Sequence, residues 1–319
     1  MLWKFLLFIW IAALSAVGIA TPIAGSLSEL RLMSQVDAKK VIPVKFHVTE
    51  AGMALNDEHG GGWLLRGRDA NNREADIRFA SRPVDGTKGD GLLVLARYDG
   101  EQQRVEVSRV LGGYPAFSFP YIPGLEERAK IIFFHVPMSW MTVVAFLVSM
   151  WYGIRYLRHK DMRDDFRSAV SAGLGLLFCI LATTTGSLWA KFNWGSFWNW
   201  DPRQTSIFVL LMVYGAYFAL RSAVEVEEKR AALSAVYSII AASTVPFFIF
   251  IMPRIMPGLH PGSAGDVNVG PVLSSGGMDA SMRVVLYALL VGFLALYIWL
   301  MRIQMRLYRI SHTRAETVP

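Results

Sequence analysis

From Trp194 to Thr205 the chain reads Trp194-Gly-Ser-Phe-Trp-Asn-Trp-Asp-Pro-Arg-Gln-Thr205, which crowds three tryptophans, Phe197, Asp201 and Arg203 into one short link. Rings at this density, with one acid and one base at the margin, describe a flat apolar platform with charged edges. Membrane interfaces scatter Trp and Tyr as a belt, so their concentration here points to a large planar amphipathic ligand. Two of the six histidines add metal-binding chemistry. His135 stands in Ile131-Ile-Phe-Phe-His-Val-Pro-Met138, where an ionisable side chain among apolar neighbours needs a reason; a buried histidine bonded to a neighbouring carbonyl is the alternative. His260 stands in Met256-Pro-Gly-Leu-His-Pro-Gly-Ser263, a turn-rich stretch in which a solvated loop residue is the alternative. His47 and His59 lack a metal-ligand spacing. His159 and His312, in a basic linker and the tail, read as solvated.

The elements that must position these residues are membrane-spanning. At 319 residues and 53% hydrophobic, the chain is too apolar for an ordinary soluble protein. Apolar runs near the length needed to cross about 30 Å of hydrocarbon occur at Phe5 to Ala24, Ile131 to Leu157, Val170 to Trp189, Ser206 to Leu220, Leu233 to Met252 and Val284 to Ile303. They predict six spanning helices. The net charge of +7 comes mainly from residues flanking these runs, where it orients a membrane protein; no nucleic-acid motif is present. The basic linkers Arg158 to Arg167 and Arg221 to Arg230, and the tail with Arg306, Arg309 and Arg314, are therefore placed in the cytoplasm, with both termini. Gly25 to Lys130, the tryptophan link and Pro253 to Arg283 then face the other side. The first run also resembles a cleavable signal peptide; an uncleaved helix is the preferred reading.

Between Leu30 and Leu111 the composition turns to mixed charge and short β-prone runs: Val41 to Val48, Trp63 to Arg68, Ala75 to Ser81, Leu92 to Tyr98 and Arg104 to Leu111. Gly60-Gly-Gly62 and Asp99-Gly100 mark turns, so a small antiparallel sheet or barrel is expected. Pro115 to Pro123 reads as a stiff connector. The fold class is thus an all-α polytopic membrane bundle of six helices carrying an inserted small β-rich extracytoplasmic domain. Its parts are residues 1–24 (first helix), 25–124 (β-rich domain and connector) and 125–319 (a five-helix core).

This topology puts His135, His260 and the tryptophan link on one membrane face. Two neutral imidazoles on opposite sides of a porphyrin satisfy both axial positions of its iron, while aromatic rings cover the macrocycle. Arg203 and Lys130 are placed to meet the propionates, with Arg254 and Arg128 in reserve; an ion pair of Arg203 with Asp201 is the alternative. Asp201 orients Arg203 or the loop, since no second carboxylate or nucleophile accompanies it. Met138, Met252 and Met256 are rival iron ligands but are common as apolar filling. Cys179 is the only cysteine, which excludes a C-x-x-C-H attachment, so any haem is held non-covalently, as b-type. Cys179 itself reads as a small buried apolar residue.

These residues resemble the CcmC-type haem-handling membrane proteins of cytochrome c maturation, a family with a tryptophan-rich signature. The likeness lies in Lys130-Ile-Ile-Phe-Phe-His-Val-Pro137, in Thr185-Gly-Ser-Leu-Trp-Ala-Lys191 through the tryptophan link to Ser206, in Leu259-His-Pro-Gly-Ser263, and in Met278-Asp-Ala-Ser-Met-Arg283. It implies haem held at the outer face of the bacterial inner membrane, facing the periplasm. His135 and His260 would be axial ligands; Trp189, Trp194, Phe197, Trp198, Trp200 and Asp201 would form the binding surface, and Arg203 with Lys130 the propionate contacts. It further implies transfer to a membrane-tethered haem chaperone, beside an ABC-type transporter and a very small helical subunit. The sequence departs from the family at Phe197, where tryptophan is usual, at Pro202, and at Gly25 to Gly124, where the family has a short link. Such a protein presents haem without catalysing a bond change of its own. The alternatives are a membrane b-type cytochrome subunit for electron transfer, and a membrane-anchored binding module in which the β-rich segment does the work.

Overall fold

The computed structural model describes residues 2–55, 61–83, 88–260, 263–264 and 278–317. His59, one of the histidines set aside above, and most of the loop after Met256 lie outside them. Helix α1 (Leu2–Ala20) is apolar along its whole length. Phe5, Leu6 and Ile9 are exposed, as in a helix surrounded by lipid. Its Trp10 Nε1 donates to the Ala288 carbonyl at 3.1 Å, and Phe8 packs edge-on against Trp299.

Two compact units follow from the packing, Met1–Ile19 with Lys130–Pro319, and Ala20–Ala129. The second holds β1 (Ile23–Ala24), α2 (Leu27–Val36), β2 (Ile42–Leu55), β3 (Gly62–Asp69), β4 (Glu74–Phe79), β5 (Gly91–Asp99), β6 (Arg104–Gly113) and β7 (Phe119–Pro120). Strands β2 to β6 close into a barrel in the order β2-β3-β4-β6-β5. The β2 to β5 seam is antiparallel, and β4 meets β6 in parallel. Alternation drives this: Ile42, Val44, Phe46 and Val48 point into the barrel, and closure leaves no free edge among these strands. Each β-prone run of the sequence falls on one strand, although β2 extends past its expected end to Leu55. Helix α2 was not anticipated. Its start is a capping box: Ser26 Oγ accepts from the Glu29 N–H, and the Glu29 carboxylate accepts from the Ser26 N–H. The proline-rich connector is also more than a spacer, because β7 pairs in parallel with β1.

The other unit continues with α3 (Ile132–His159), α4 (Met162–Trp194), α5 (Pro202–Ala223) and α6 (Glu227–Pro246). A π-helical turn, Phe247–Ile251, prolongs α6 into α7 (Met252–Ile255), and α8 (Ala280–Thr317) completes the set. Six helices are long and apolar enough to cross a membrane: α1, α3, α4, α5, α6 through α7, and α8. The protein is a polytopic membrane protein. The linker expected from Arg158 to Arg167 shrinks to a turn at Lys160 and Asp161, since Asp161 already caps α4 by accepting from the Arg163 N–H.

Two buried acids in the first turn of α4 tie the helices together. Asp164 accepts from Arg155 and Arg167 at 3.0 and 2.8 Å. Asp165 accepts both arms of Arg221 from α5 at 2.7 and 2.9 Å. Above them Phe146, Cys179, Leu210, Tyr214 and Val245 form an apolar core, and Cys179 takes the small buried role expected of it.

Candidate functional site

His135 lies one turn into α3, with Nδ1 3.1 Å from Thr185 Oγ1 on α4. Thr185 gives its own proton to the Leu181 carbonyl at 2.8 Å, so its oxygen accepts from His135. That fixes the proton on Nδ1 and leaves Nε2 as the lone-pair nitrogen. Gly186 makes the approach possible: a Cβ there would stand 2.8 Å from His135 Cε1.

His260 is fixed in the same way by a different partner. Its Nδ1 is 3.1 Å from Asp201 Oδ1, and its ring meets Trp189 and Trp194 at 5.2 and 4.8 Å between centroids. Asp201 is the hub of the loop. It caps α5 by accepting from the Arg203 N–H at 2.9 Å, and it accepts from the Leu259 N–H at 2.7 Å. Burial alone would raise its pKa, but the bond to His260 and the two backbone N–H groups hold it down at about 2. Burial pushes His260 the other way, below its usual value, with Asp201 opposing; the ring is neutral and presents Nε2 as a donor atom. Gly258 lets the loop come this close, since a Cβ there would meet Asp201 Oδ2 at 2.7 Å.

The two histidines line one cavity of about 120 Å³, together with Trp198, Arg203, Gln204 and Phe248. Ligand pockets usually span about 300–1,000 Å³, so a macrocycle would lie partly outside it. Arg203 Nε is buried, with no hydrogen-bond partner among the described residues. The anticipated alternative, an ion pair with Asp201, is not formed; the Asp201 oxygens are taken by His260 and the two backbone N–H groups. Among the described residues no cluster of three His, Cys, Asp or Glu could hold a bare ion. Two imidazoles and an unsatisfied guanidinium instead match a metal whose other donors come with an anionic ligand, as in a porphyrin with propionates.

The rings form a corrugated wall, not the flat platform expected. Trp189 stands on Trp194 at 83°, and Trp198 on Trp200 at 90°, with Phe208 edge-on to both. Trp200 is 67% exposed and holds φ at 55°, a left-handed conformation that costs a non-glycine residue about 1 kcal/mol. Its carbonyl accepts from Thr205 Oγ1 at 3.2 Å. Phe197 faces outward beneath Lys191. The remaining expected residues lie elsewhere. Lys130 Nζ donates to the Ile19 carbonyl at 2.9 Å, Arg128 bonds carbonyls of Gly124 and Leu125, and Arg254 Nη1 donates to Phe250. None of these three lines the cavity, nor does any of Met138, Met252 and Met256; Met252 Sδ accepts from Ser206 Oγ at 2.7 Å.

Sequence reasoning passed over Thr185, Gly186, Gln204 and Gly258. Gln204 pins the tryptophan link by accepting from the Asn199 N–H at 2.8 Å and donating to the Phe197 carbonyl. Small residues one or two places from a histidine or tryptophan were the available signal.

Compared with known proteins, residues 117–318 match a family model described as CcmC, Heme exporter protein C. Heme exporter protein C of Paracoccus denitrificans is 29% identical over 177 residues, 56% of this chain and 71% of that protein. That of Bradyrhizobium diazoefficiens is 30% identical over 179 residues, 56% of this chain and 65% of the relative. Cytochrome c biogenesis protein CcsA of Gossypium barbadense is 39% identical over 120 residues, 38% of this chain and 34% of its own length. The chain spans between a third and just over two thirds of these relatives. With well over half of its residues inside the matched span, the helical unit and its histidine cavity included, this chain belongs to the CcmC family of Heme exporter protein C.

Proposed function

We propose that the protein holds haem non-covalently at the outer face of a bacterial inner membrane and presents it for delivery during cytochrome c assembly. The observation that carries this reading is the meeting of His135 and His260 in one cavity, each anchored through Nδ1. Anchoring the far nitrogen is how proteins orient imidazole ligands and keep Nε2 available. Arg203 supplies the cation for a propionate, and Trp198, with Trp189 and Trp194 behind His260, covers the ligand from water. No side chain at the cavity is arranged as a nucleophile with a base, so the protein handles its cargo and leaves bond formation to the recipient. The recipient is a membrane-tethered haem chaperone or the apocytochrome, with ABC transporter subunits and a small helical subunit as further partners. The termini lie in the cytoplasm and the barrel in the periplasm, following the basic flanks of the helices. An electron-transfer cytochrome is less well supported, because both histidines sit at one end of the bundle.

The test is an absorption spectrum of detergent-purified protein loaded with haem, wild type beside His135→Ala and His260→Ala. A low-spin two-histidine spectrum is expected for wild type and its loss in either variant. The same spectrum in both variants would refute the assignment.

A further inference from the structure

A second concave site lies at the opposite end of the same bundle. A groove of about 470 Å³ opens between α3, α4 and α8, walled by Tyr152, Arg167, Met301, Arg302, Met305 and Arg306, with Arg309 at its edge. Helix position sets its depth. Arg302 lies 22 residues past Ala280, about 33 Å along the helix, where a hydrocarbon core of about 30 Å ends. Tyr152 and Arg167 reach the same level from α3 and α4.

The groove combines two chemistries. Its floor is closed, because Tyr297 and Ser171 share a hydrogen bond of 2.6 Å and Ser171 donates on to the Ala145 carbonyl. Its walls toward the membrane centre are apolar, from Val148, Ile298 and Met301. At the rim the side chains are cationic. Arg167 is committed to Asp164 at 2.8 Å and leans over Tyr152. Arg302 and Arg306, one turn apart on the exposed side of α8, have no carboxylate partner among the described residues.

We propose that this groove binds an anionic phospholipid, its phosphate between Arg302 and Arg306 and an acyl chain along Val148, Ile298 and Met301. Guanidinium groups recognise phosphate through paired donors, and basic pockets between membrane helices suit anionic head groups. The apolar wall below the cations distinguishes a lipid from a free phosphate. The bound lipid would bridge α8 to α3 and α4 at the end of the bundle away from the histidines.

The full chain is purified in detergent, supplemented with phosphatidylglycerol or phosphatidylcholine, and its retained lipid counted by native mass spectrometry. Wild type is expected to retain phosphatidylglycerol selectively. Arg302→Gln with Arg306→Gln should bind it about 30-fold more weakly, at roughly five-fold per arginine, while haem loading stays unchanged. Arg158→Gln with Arg163→Gln removes two charges from the same level outside the groove and should leave retention intact. Equal retention of both lipids, equal loss in the two double variants, or displacement by glycerol phosphate lacking chains would each overturn the proposal.

Discussion

Replacing Asp201 with asparagine tests whether the carboxylate organises the histidine loop. The side chain accepts from the Arg203 N–H, the Leu259 N–H and His260 Nδ1 at 2.9, 2.7 and 3.1 Å. Asparagine keeps one acceptor oxygen, which suffices to cap α5, but it turns an NH₂ toward the other donors. Hydrogen bonds to charged groups are worth about 1.5–3 kcal/mol against about 0.5–1.5 for neutral ones, so the exchange should cost the loop about 2 kcal/mol. Removing a partner that orients a metal-binding histidine typically lowers affinity about 10–100-fold, which agrees with that figure. The assay is titration of haem into the purified protein, followed by difference absorbance. Asp201→Asn should weaken binding within this range and broaden the low-spin bands, while helix content and thermal unfolding of the bundle change little. Wild-type affinity with wild-type bands would refute the role given to Asp201, even if His260 proved essential.

Gly186→Ala should displace His135 and lower haem affinity by at least ten-fold, since its new methyl would meet the ring at 2.8 Å and overpacking costs about 1–3 kcal/mol; Gly215→Ala, with nothing within 4 Å of its Cβ, is the matched control in the same titration. Arg221→Gln leaves the buried Asp165 carboxylate without its two-pronged partner and should destabilise the bundle by about 3–5 kcal/mol, seen as a lowered thermal midpoint in detergent, with Asp165→Asn in the same chain recovering part of it. Acid should unfasten the loop. Asp201 moves from its ordinary 3.8 to about 2 in the folded protein, so its contribution of about 2 kcal/mol is complete above pH 3.8 and disappears as pH falls through 2. An acid unfolding curve of Asp201→Asn should lack that component.

The helices were legible because lipid imposes length and composition on each one separately: a run such as Val284 to Ile303 announces itself without knowledge of its neighbours. The strands were legible for a similar reason, since Ile42, Val44, Phe46 and Val48 alternate with polar residues. Helix α2 escaped because its signal is a local exchange between Ser26 and Glu29 and not a hydrophobic period. The histidine pair was readable from topology, which places both residues at one end of the bundle. What joins them was not. Thr185, Gly186 and Gly258 act through distances of about 3 Å between segments far apart in sequence, and no spacing along the chain encodes such proximity. Lys130 illustrates the converse error. Its position beside an apolar run suggested a propionate contact, but a lysine stem is long enough to reach a nearby backbone carbonyl, and that is where its charge goes.

The π-helical turn at Phe247–Ile251 makes the cavity sensitive to chain length in a way that ordinary side-chain substitution is not. Such a turn accommodates one more residue than the α-helix around it. Deleting a single residue from this turn would let the helix relax to regular winding and rotate everything beyond it by about 100°. Phe248 and Ile249 would swing off the cavity wall, and the segment carrying Gly258 and His260 would start from the wrong side of the helix. A frame-preserving deletion here should therefore abolish haem binding in a protein that still inserts and folds.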